Sequence, residues 1–167
     1  FPVFGIIGNP ITHSRSPEVH NRGLSSASVP GMYIPFRVDS LAEFLELAPV
    51  LGIHGLSVTI PHKETVVPFL ARVDSSVKAV EACNTLLWED GGWTGYNTDV
   101  AGFLSPLNRL LSTGYIRRAT VVGAGGAARA ISWALRGANV DVLIVNRNLR
   151  RAQALAANIG ADSIALN

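Results

Sequence analysis

Lys63 follows directly after a short β-branched strand that ends at a proline, in the stretch "LSVTIPHKE" (residues 56–64). Open α/β sheets bind their ligands beyond the carboxyl ends of the strands. A cation in that place can bind an anion, or it can hold and release a proton during a reaction. The stretch is also compatible with a solvated lysine at the start of a helix, so the role of Lys63 depends on the rest of the chain.

Two hydroxyl groups precede another predicted helix start. Ser14 and Ser16 flank Arg15 just before Pro17, a residue well suited to the first helical turn. The hydroxyls and the amino end of a helix would then converge where a carboxylate is stabilised. Ser16 could also cap the helix, and the two roles are compatible.

Three further polar residues are candidates for a binding site. Thr59 stands at the end of the strand before Lys63, and Asn84 lies in "CNTL". Both offer uncharged hydrogen-bonding groups, although a threonine in a strand also reflects ordinary β propensity. Asp99 follows Asn97 and Thr98 at the start of a helix, where it could serve as the N-cap.

The stretch "VVGAGGAARA" has the G-x-G-x-x-G/A spacing directly after a strand and at the start of a helix. Gly123 permits the tight turn, Gly125 lets a pyrophosphate approach the backbone, and Ala128 allows close packing of helix on strand. This pattern predicts nucleotide binding. The candidate residues of the turn are Gly123, Ala124, Gly125, Gly126 and Ala127.

The end of the next strand indicates which nucleotide is bound. An NAD site usually has an acidic residue there, which binds the ribose 2′-hydroxyl. This chain has Asn146, Arg147 and Asn148 instead, with Arg150 and Arg151 one helical turn further on. A guanidinium can bind a 2′-phosphate, so NADP is favoured over NAD.

These residues require an α/β scaffold. Strands are predicted at Val3–Gly8, Met32–Phe36 and Gly55–Ile60, and a helix over "SLAEFLELAPVL" with Ser40 and Glu43 as a capping box. The stretch "NTLLWEDGGWTGYN" predicts two strands joined by a turn at residues 90–92, which makes the sheet mixed.

A second unit follows a helical stretch and a boundary near residues 111–118. Its pattern is a strand at Ala119–Val122, a glycine-rich turn, a helix to about Arg136 capped by Gly137, the strand "VDVLIVN" and another helix. We expect a substrate-binding α/β domain at residues 1–112 with a mixed sheet. Residues 113–167 are expected to form the first half of a Rossmann-type doubly wound NADP-binding domain.

Composition excludes several classes of protein. The 167 residues are 48% hydrophobic and 16% charged, with 14 basic and 12 acidic side chains, which describes a globular chain without a nucleic-acid-binding stripe. One cysteine and no long apolar run predict a cytoplasmic protein without a disulfide or membrane span. The histidines show no metal-ligand spacing, so no metal is expected; they are His13, His20, His54 and His62.

Six stretches together resemble the shikimate dehydrogenase family over essentially the whole chain. They are "GNPITHSRSPEVHN", "SVTIPHKE", "CNTL", "GYNTDVAGF", "GAGGAARA" and "NRNLRRA". The resemblance implies NADP-dependent, reversible reduction of 3-dehydroshikimate to shikimate, with substrate in the first domain and cofactor in the second. The chain starts without methionine and ends as a strand begins, so we expect a truncated, inactive fragment of a longer enzyme.

The resemblance also implies roles for individual residues. Ser14 and Ser16 correspond to the serines that hold the substrate carboxylate, and Thr59 and Asn84 to groups that bind ring hydroxyls. Lys63 and Asp99 correspond to the catalytic pair at the reacting hydroxyl. Whether Lys63 is the formal acid/base or an electrostatic stabiliser stays open.

Two departures and three alternatives accompany the resemblance. The family often has asparagine where this chain has Ser57 and threonine where it has Asn148. A quinate/shikimate dehydrogenase, a non-catalytic dehydrogenase-like metabolite sensor and one domain of a fused enzyme with an upstream dehydratase remain alternatives; a sensor need not keep the lysine and aspartate. Self-association to a homodimer is left open.

Overall fold

The fold alternates strands and helices, as the sequence predicts. The computed structural model describes residues 2–166. The strands are β1 (Val3–Gly8), β2 (Met32–Arg37), β3 (Ile53–Val58), β4 (Arg72–Val73), β5 (Thr85–Glu89), β6 (Gly92–Tyr96), β7 (Arg118–Val122), β8 (Asp141–Asn146) and β9 (Asp162–Ala165). The helices are α1 (Ser16–Ser26), α2 (Leu41–Val50), α3 (His62–Thr65), α4 (Ser75–Val80), α5 (Asp99–Ser112), α6 (Gly126–Gly137) and α7 (Leu149–Ile159), with a 3₁₀ turn at Val67–Phe69.

The described residues form two compact units. The first unit comprises the chain through Val77 together with Cys83–Tyr96, and the second comprises Lys78–Ala82 and the chain from Asn97 onward. Helix α5 therefore groups with the second unit. The functional division between residues 112 and 113 stays a prediction.

The first unit contains a six-stranded mixed sheet in the order β2-β1-β3-β5-β6-β4, which confirms the predicted mixture. Strand β1 runs parallel to β2 and β3, whereas β5 runs antiparallel to both β3 and β6. The β5–β6 hairpin turns at Asp90 and Gly91, both of which have positive φ, as a tight two-residue hairpin turn requires. Gly92, predicted as part of this turn, is instead the first residue of β6.

The core of the first unit lies between the sheet and α2. Leu41, Leu45 and Ala48 form the buried face of this helix, and they pack with β1 and β3 side chains such as Ile7 and Val58. Burying an aliphatic side chain of this size stabilises the fold by about 1.5–3 kcal/mol. This packing holds β1 and β3 in place, so the residues that follow their carboxyl ends occupy fixed positions.

The second unit contains a parallel sheet in the order β7-β8-β9, with α6 and α7 as the connections. Parallel neighbours need such crossover connections because their ends lie at opposite edges. The buried residues of α6 and α7 pack on fully buried sheet residues such as Ile144. The unit is a Rossmann-type strand–helix–strand–helix–strand arrangement, as predicted. Within residues 2–166, no helix is long and apolar enough to cross a bilayer.

Two predicted helix caps are wrong in detail. Ser40 is the N-cap residue of α2, but its side chain makes no capping hydrogen bond, so its half of the predicted capping box is not formed. Gly137 is the last residue of α6 and not a left-handed cap; Asn139, two residues later, has a φ of 60°. Asparagine tolerates the left-handed region, which explains why the glycine is not needed there.

Candidate active site

The ends of three strands meet at one edge of the first sheet. The Thr59 amide donates to the Ile7 carbonyl at 3.0 Å, and the Val58 amide donates to the Asn84 carbonyl at 2.8 Å. Because β5 is antiparallel to β3, its amino end lies beside the carboxyl ends of β1 and β3. Thr59 and Asn84, separated in the sequence by α3, the 3₁₀ turn, β4 and α4, therefore lie at the same edge.

Gly8 lets β1 approach Thr59 closely. A Cβ atom on Gly8 would lie 2.6 Å from the Thr59 Cγ2 and 3.0 Å from the Ile60 carbonyl oxygen. Both distances are too short for ordinary van der Waals contact. The position of the Thr59 side chain therefore depends on the absence of a side chain at residue 8, which sequence reasoning did not predict.

The serine pair lies at the amino end of α1, but the capping role belongs to Ser14. Helix α1 starts at Ser16, and the N-cap residue, Arg15, makes no side-chain capping bond. The Ser16 amide donates to the Ser14 Oγ at 3.3 Å. Ser16 is already inside the helix, so the prediction that it caps α1 is wrong. Both serines are half-buried.

Lys63 lies in α3, directly beyond β3, as predicted. Its side chain is half-buried, and its carbonyl accepts a hydrogen bond of 2.8 Å from the Cys83 amide. This bond ties the backbone of Lys63 to the residue before Asn84. The neighbouring His62 is buried, with its Nε2 2.9 Å from the Val38 carbonyl oxygen, which agrees with a structural role.

Cys83 is not a nucleophile at this edge. Its side chain is fully buried, and burial raises the pKa of the thiol to about 11 despite hydrogen bonds to two carbonyl groups. The thiol is therefore protonated at neutral pH, and the thiolate is the reactive form.

Asp99 is the first residue of α5 and belongs to the second unit. The N-cap position is taken by Thr98, and the Asp99 amide donates to the Asn97 Oδ1 at 3.0 Å. The alternative that Asp99 caps the helix is therefore wrong, although a carboxylate in the first turn is still stabilised by the helix dipole. Lys63 and Asp99 belong to different units, so their pairing stays a prediction.

The glycine turn has the backbone geometry of a phosphate-binding turn. Gly123 follows β7 with a φ of 120°, which side chains rarely allow, and its amide donates to the Val145 carbonyl at 2.7 Å. Gly125 is the N-cap residue, so α6 starts at Gly126. The first amides of α6, which a helix leaves without intrahelical acceptors, can donate to a phosphate at this turn.

The asparagine and arginine residues lie at the carboxyl end of β8. Asn148 caps α7 by accepting a 3.3 Å hydrogen bond from the Arg151 amide, and the Arg151 guanidinium donates to the Ala124 carbonyl at 3.3 Å. Arg151 thus connects this cluster to the glycine turn. An open cavity beside it is lined by Asn146, Arg147, Asn148, Leu149, Arg150, Arg151 and Gln153. Arg147 is exposed, so its charge is available to an anion.

A partly buried polar pair near Thr59 was not predicted. The Tyr33 hydroxyl donates to the Ser57 Oγ at 2.7 Å, and the ring of Tyr33 stacks on His20 with centroids 4.2 Å apart. Burial raises the pKa of Tyr33 above its ordinary value, so its hydroxyl remains a donor. Ser57 is two residues before Thr59, and the period of a strand could have indicated that both lie on one face.

Residues 2–166 contain no group of three or more His, Cys, Asp or Glu side chains that could hold a metal ion.

Comparison with known proteins identifies two matching family models. The model described as "Shikimate dehydrogenase substrate binding domain" matches residues 6–86, and "Shikimate / quinate 5-dehydrogenase" matches residues 108–167. A curated "Shikimate dehydrogenase (NADP(+))" of Oleidesulfovibrio alaskensis is 45% identical over 167 residues, which cover 98% of this chain and 59% of the relative.

Solved structures agree with the fold. Shikimate dehydrogenase from Aquifex aeolicus superimposes with a TM-score of 0.90 at 34% identity, over 98% of this chain and 62% of that one. Shikimate 5-dehydrogenase from Thermus thermophilus, solved with NADP(H) and shikimate, has a TM-score of 0.83 at 33% identity, over 98% of this chain and 63% of that one. The chain therefore spans less than two thirds of the length of each of these proteins.

Proposed function

The chain belongs to the shikimate dehydrogenase family, and we propose that it serves the NADP-dependent, reversible reduction of 3-dehydroshikimate to shikimate. This reaction is a step of the shikimate pathway to the aromatic amino acids. One observation carries the proposal. The carboxyl ends of β1 and β3 and the amino end of β5 present Thr59, Lys63 and Asn84 at one sheet edge.

The first unit supplies groups that suit a hydroxylated ring with one carboxylate. Ser14 and Ser16, at the amino end of α1, would bind the carboxylate, because hydroxyl donors and the helix dipole both favour a negative charge. Thr59 and Asn84 would bind ring hydroxyls, since both can donate and accept hydrogen bonds.

Lys63 would carry the proton transfer. In the reducing direction, the substrate carbonyl carbon accepts a hydride, and the Lys63 ammonium donates a proton to the carbonyl oxygen as negative charge develops there. In the reverse direction, Lys63 accepts the hydroxyl proton. Asp99 would bind the substrate as a carboxylate and stabilise the charged form of Lys63.

The second unit fits NADP. Gly123 has a positive φ that favours glycine, so no side chain stands between the turn and the cofactor. The amino end of α6 offers amide donors for the pyrophosphate. Arg147 and Arg151 offer guanidinium groups for a 2′-phosphate, and Asn146 and Asn148 shape the same cavity. When bound, NADPH supplies the hydride.

The proposed experiment compares the chain's two lysines in the full-length protein. Replacing Lys63 with alanine should lower kcat for shikimate oxidation by about 10² to 10⁴, the range for a lost general acid/base, with shikimate binding largely retained. Lys78 is exposed on α4, so Lys78→Ala is the matched control and should leave kcat unchanged. Near-wild-type turnover by Lys63→Ala would remove this residue from the mechanism.

The same assay separates the alternative functions. A quinate/shikimate dehydrogenase would oxidise quinate with a kcat/KM comparable to that for shikimate. A metabolite sensor would bind shikimate, as measured by calorimetry, without reducing NADP. The two predicted catalytic residues favour an enzyme, because a sensor has no need of them.

Three further assignments are part of the proposal. Residues 1–112 serve as the substrate-binding domain, and residues 113–167 belong to the NADP-binding domain; one family model matches residues 6–86 and the other residues 108–167, in that order along the chain. The proposed location is the cytoplasm, in keeping with a single, buried cysteine. A homodimer would be detected by light scattering coupled to size-exclusion chromatography.

A further inference from the structure

Helix α1 carries the serine pair at its amino end, but it buries little apolar surface on the sheet. All of its residues are described, and none of them is buried. Its half-buried side chains are Ser16, Pro17, Asn21 and Leu24. A helix in a protein is normally held in place by the packing of an apolar face. The polar contacts of α1 therefore have a large influence on where the serine pair lies.

Asn21 binds α1 to the edge strand of the first sheet. Strand β2 has β1 as its neighbour on one side only. On β2, the Tyr33 amide donates to the Asn21 Oδ1 at 2.9 Å, and the Asn21 Nδ2 donates to the Tyr33 carbonyl at 2.8 Å. Both partners are backbone groups, and they fix the orientation of the side-chain amide, because an N–H only donates and a carbonyl only accepts. Asn21 thus satisfies both backbone groups of Tyr33, as a further strand would.

Tyr33 is itself fixed, and it connects α1 with the strand that leads to Thr59. The side chain of Tyr33 is buried, and its ring stacks on His20, the residue before Asn21, with centroids 4.2 Å apart. Its hydroxyl donates to the Ser57 Oγ on β3 at 2.7 Å. Contacts with both the ring and the backbone of Tyr33 restrain α1 against sliding along β2 and against rotation about its own axis.

We propose that Asn21 is a positioning residue for the substrate carboxylate: its amide docks α1 on β2 and so holds the Ser14 and Ser16 hydroxyls where they bind that carboxylate. A helix rises 1.5 Å per residue, so the start of α1 lies only about 7.5 Å along the axis from Asn21. Both ends of the Asn21 amide bind Tyr33, so Asn21 acts through α1. The inference rests on the proposed function, because it takes the two serines as substrate-binding groups.

The size of the effect follows from the two hydrogen bonds. Each bond between neutral groups changes an equilibrium by a factor of about 2–10, so the loss of both lowers the ratio of docked to displaced α1 by about 4- to 100-fold. Affinity falls in proportion to the docked fraction, and the KM for shikimate should therefore rise by about 3- to 100-fold. Bound shikimate favours the docked helix, so kcat and the KM for NADP should stay within about 2-fold of the wild type.

Two variants of the full-length protein remove the amide. Asn21→Leu keeps the size of the side chain, and Asn21→Ala introduces a better helix former, so that a weakened helix cannot explain its effect. We expect both to raise the shikimate KM. Arg22→Ala is the control, because Arg22 is exposed and pairs with Glu18 of the same helix; its KM should stay within about 2-fold of the wild type. If Asn21→Leu does not fold, as judged by circular dichroism, Asn21→Ala still provides the test.

The split between KM and kcat separates positioning from a general structural role. Partial unfolding lowers the active fraction and hence kcat, whereas a displaced α1 raises the shikimate KM. A double-mutant cycle adds a second test: in a Ser14→Ala, Ser16→Ala background, Asn21→Ala should raise the shikimate KM by a smaller factor, because the hydroxyls that it positions are gone.

Three results would overturn the inference. They are an equal factor in both backgrounds, a wild-type shikimate KM in both Asn21 variants whatever their stability, and a wild-type KM in the variant that lacks both serine hydroxyls. A wild-type protein that neither binds nor oxidises shikimate would instead refute the proposed function, and this inference with it.

Discussion

The close approach of Gly8 to Thr59 allows a quantitative test of the site. Gly8 is the last residue of β1. A Cβ atom added to it would lie 2.6 Å from the Thr59 Cγ2 and 3.0 Å from both the Ile11 Cδ1 and the Ile60 carbonyl oxygen. The Ile60 oxygen belongs to the backbone, and Thr59 has a short β-branched side chain, so neither can easily move away. Gly8→Ala therefore forces Thr59, or the backbone of β1 and β3, to shift.

The magnitude follows from the shortest of these distances. Carbon atoms pack at about 3.5–4.0 Å, so a contact of 2.6 Å requires a displacement of roughly 1 Å. Overpacking of this kind costs about 1–3 kcal/mol of stability. A misplacement of about 1 Å at a site can also reduce turnover efficiency up to about 10²-fold. We therefore expect kcat/KM for shikimate to fall by about 10- to 100-fold.

Two other glycines of the first unit serve as controls. A Cβ atom on Gly5, also in β1, would lie 2.7 Å from the Ile34 carbonyl oxygen and would contact the Phe36 ring, away from Thr59. Gly5→Ala should therefore lower the free energy of unfolding by a similar amount without changing the KM for shikimate. Gly23 in α1 has open space around it, so Gly23→Ala should stabilise the protein by about 0.5–1 kcal/mol.

The assay combines steady-state kinetics with urea unfolding of the full-length variants. A folded Gly8→Ala protein with wild-type kcat/KM would show that Thr59 does not need its present position, and would remove it from the proposed substrate site. A loss of kcat/KM in Gly5→Ala equal to that in Gly8→Ala would attribute the effect to overpacking in general.

Two further predictions concern the second unit. Arg147→Ala should raise the KM for NADPH by about 10- to 100-fold, because charge-assisted hydrogen bonds contribute about 1.5–3 kcal/mol, and should leave the KM for NADH almost unchanged. An equal increase in the KM for both cofactors, or the same increase in the exposed control Arg109→Ala, would leave Arg147 only a structural role. Ser132→Ala should raise the free energy of unfolding by about 1 kcal/mol, because within the described chain this fully buried hydroxyl has no hydrogen-bond partner. The exposed control Ser105→Ala should change the free energy of unfolding by only a few tenths of a kcal/mol. A marked loss of stability in Ser132→Ala would mean that its hydroxyl is paired.

Local patterns in the sequence were sufficient for much of the second unit. The tight turn at Gly123 and the arginines after the next strand lie within about 30 residues of each other, and a strand–turn–helix pattern places them at the same sheet edge. The strand Val3–Gly8 was also predicted with its observed bounds, because an apolar run flanked by turn residues has few other possible structures. The resemblance to the family then connected Ser14, Thr59 and Asn84 to one substrate.

The sequence by itself determined the fold class, the glycine turn and the arginine cluster, because each depends on periodicity or short spacing. The roles of the candidate substrate residues came from the resemblance to the family. Only the tertiary structure decided how some candidates are held. The contact of Gly8 with Thr59 and the register of β5 beside β3 arise between segments far apart in the chain, where strand pairing sets the distances. The backbone of Asn84 is likewise held by hydrogen bonds to Val58 and Tyr96 on two neighbouring strands, which no local pattern encodes.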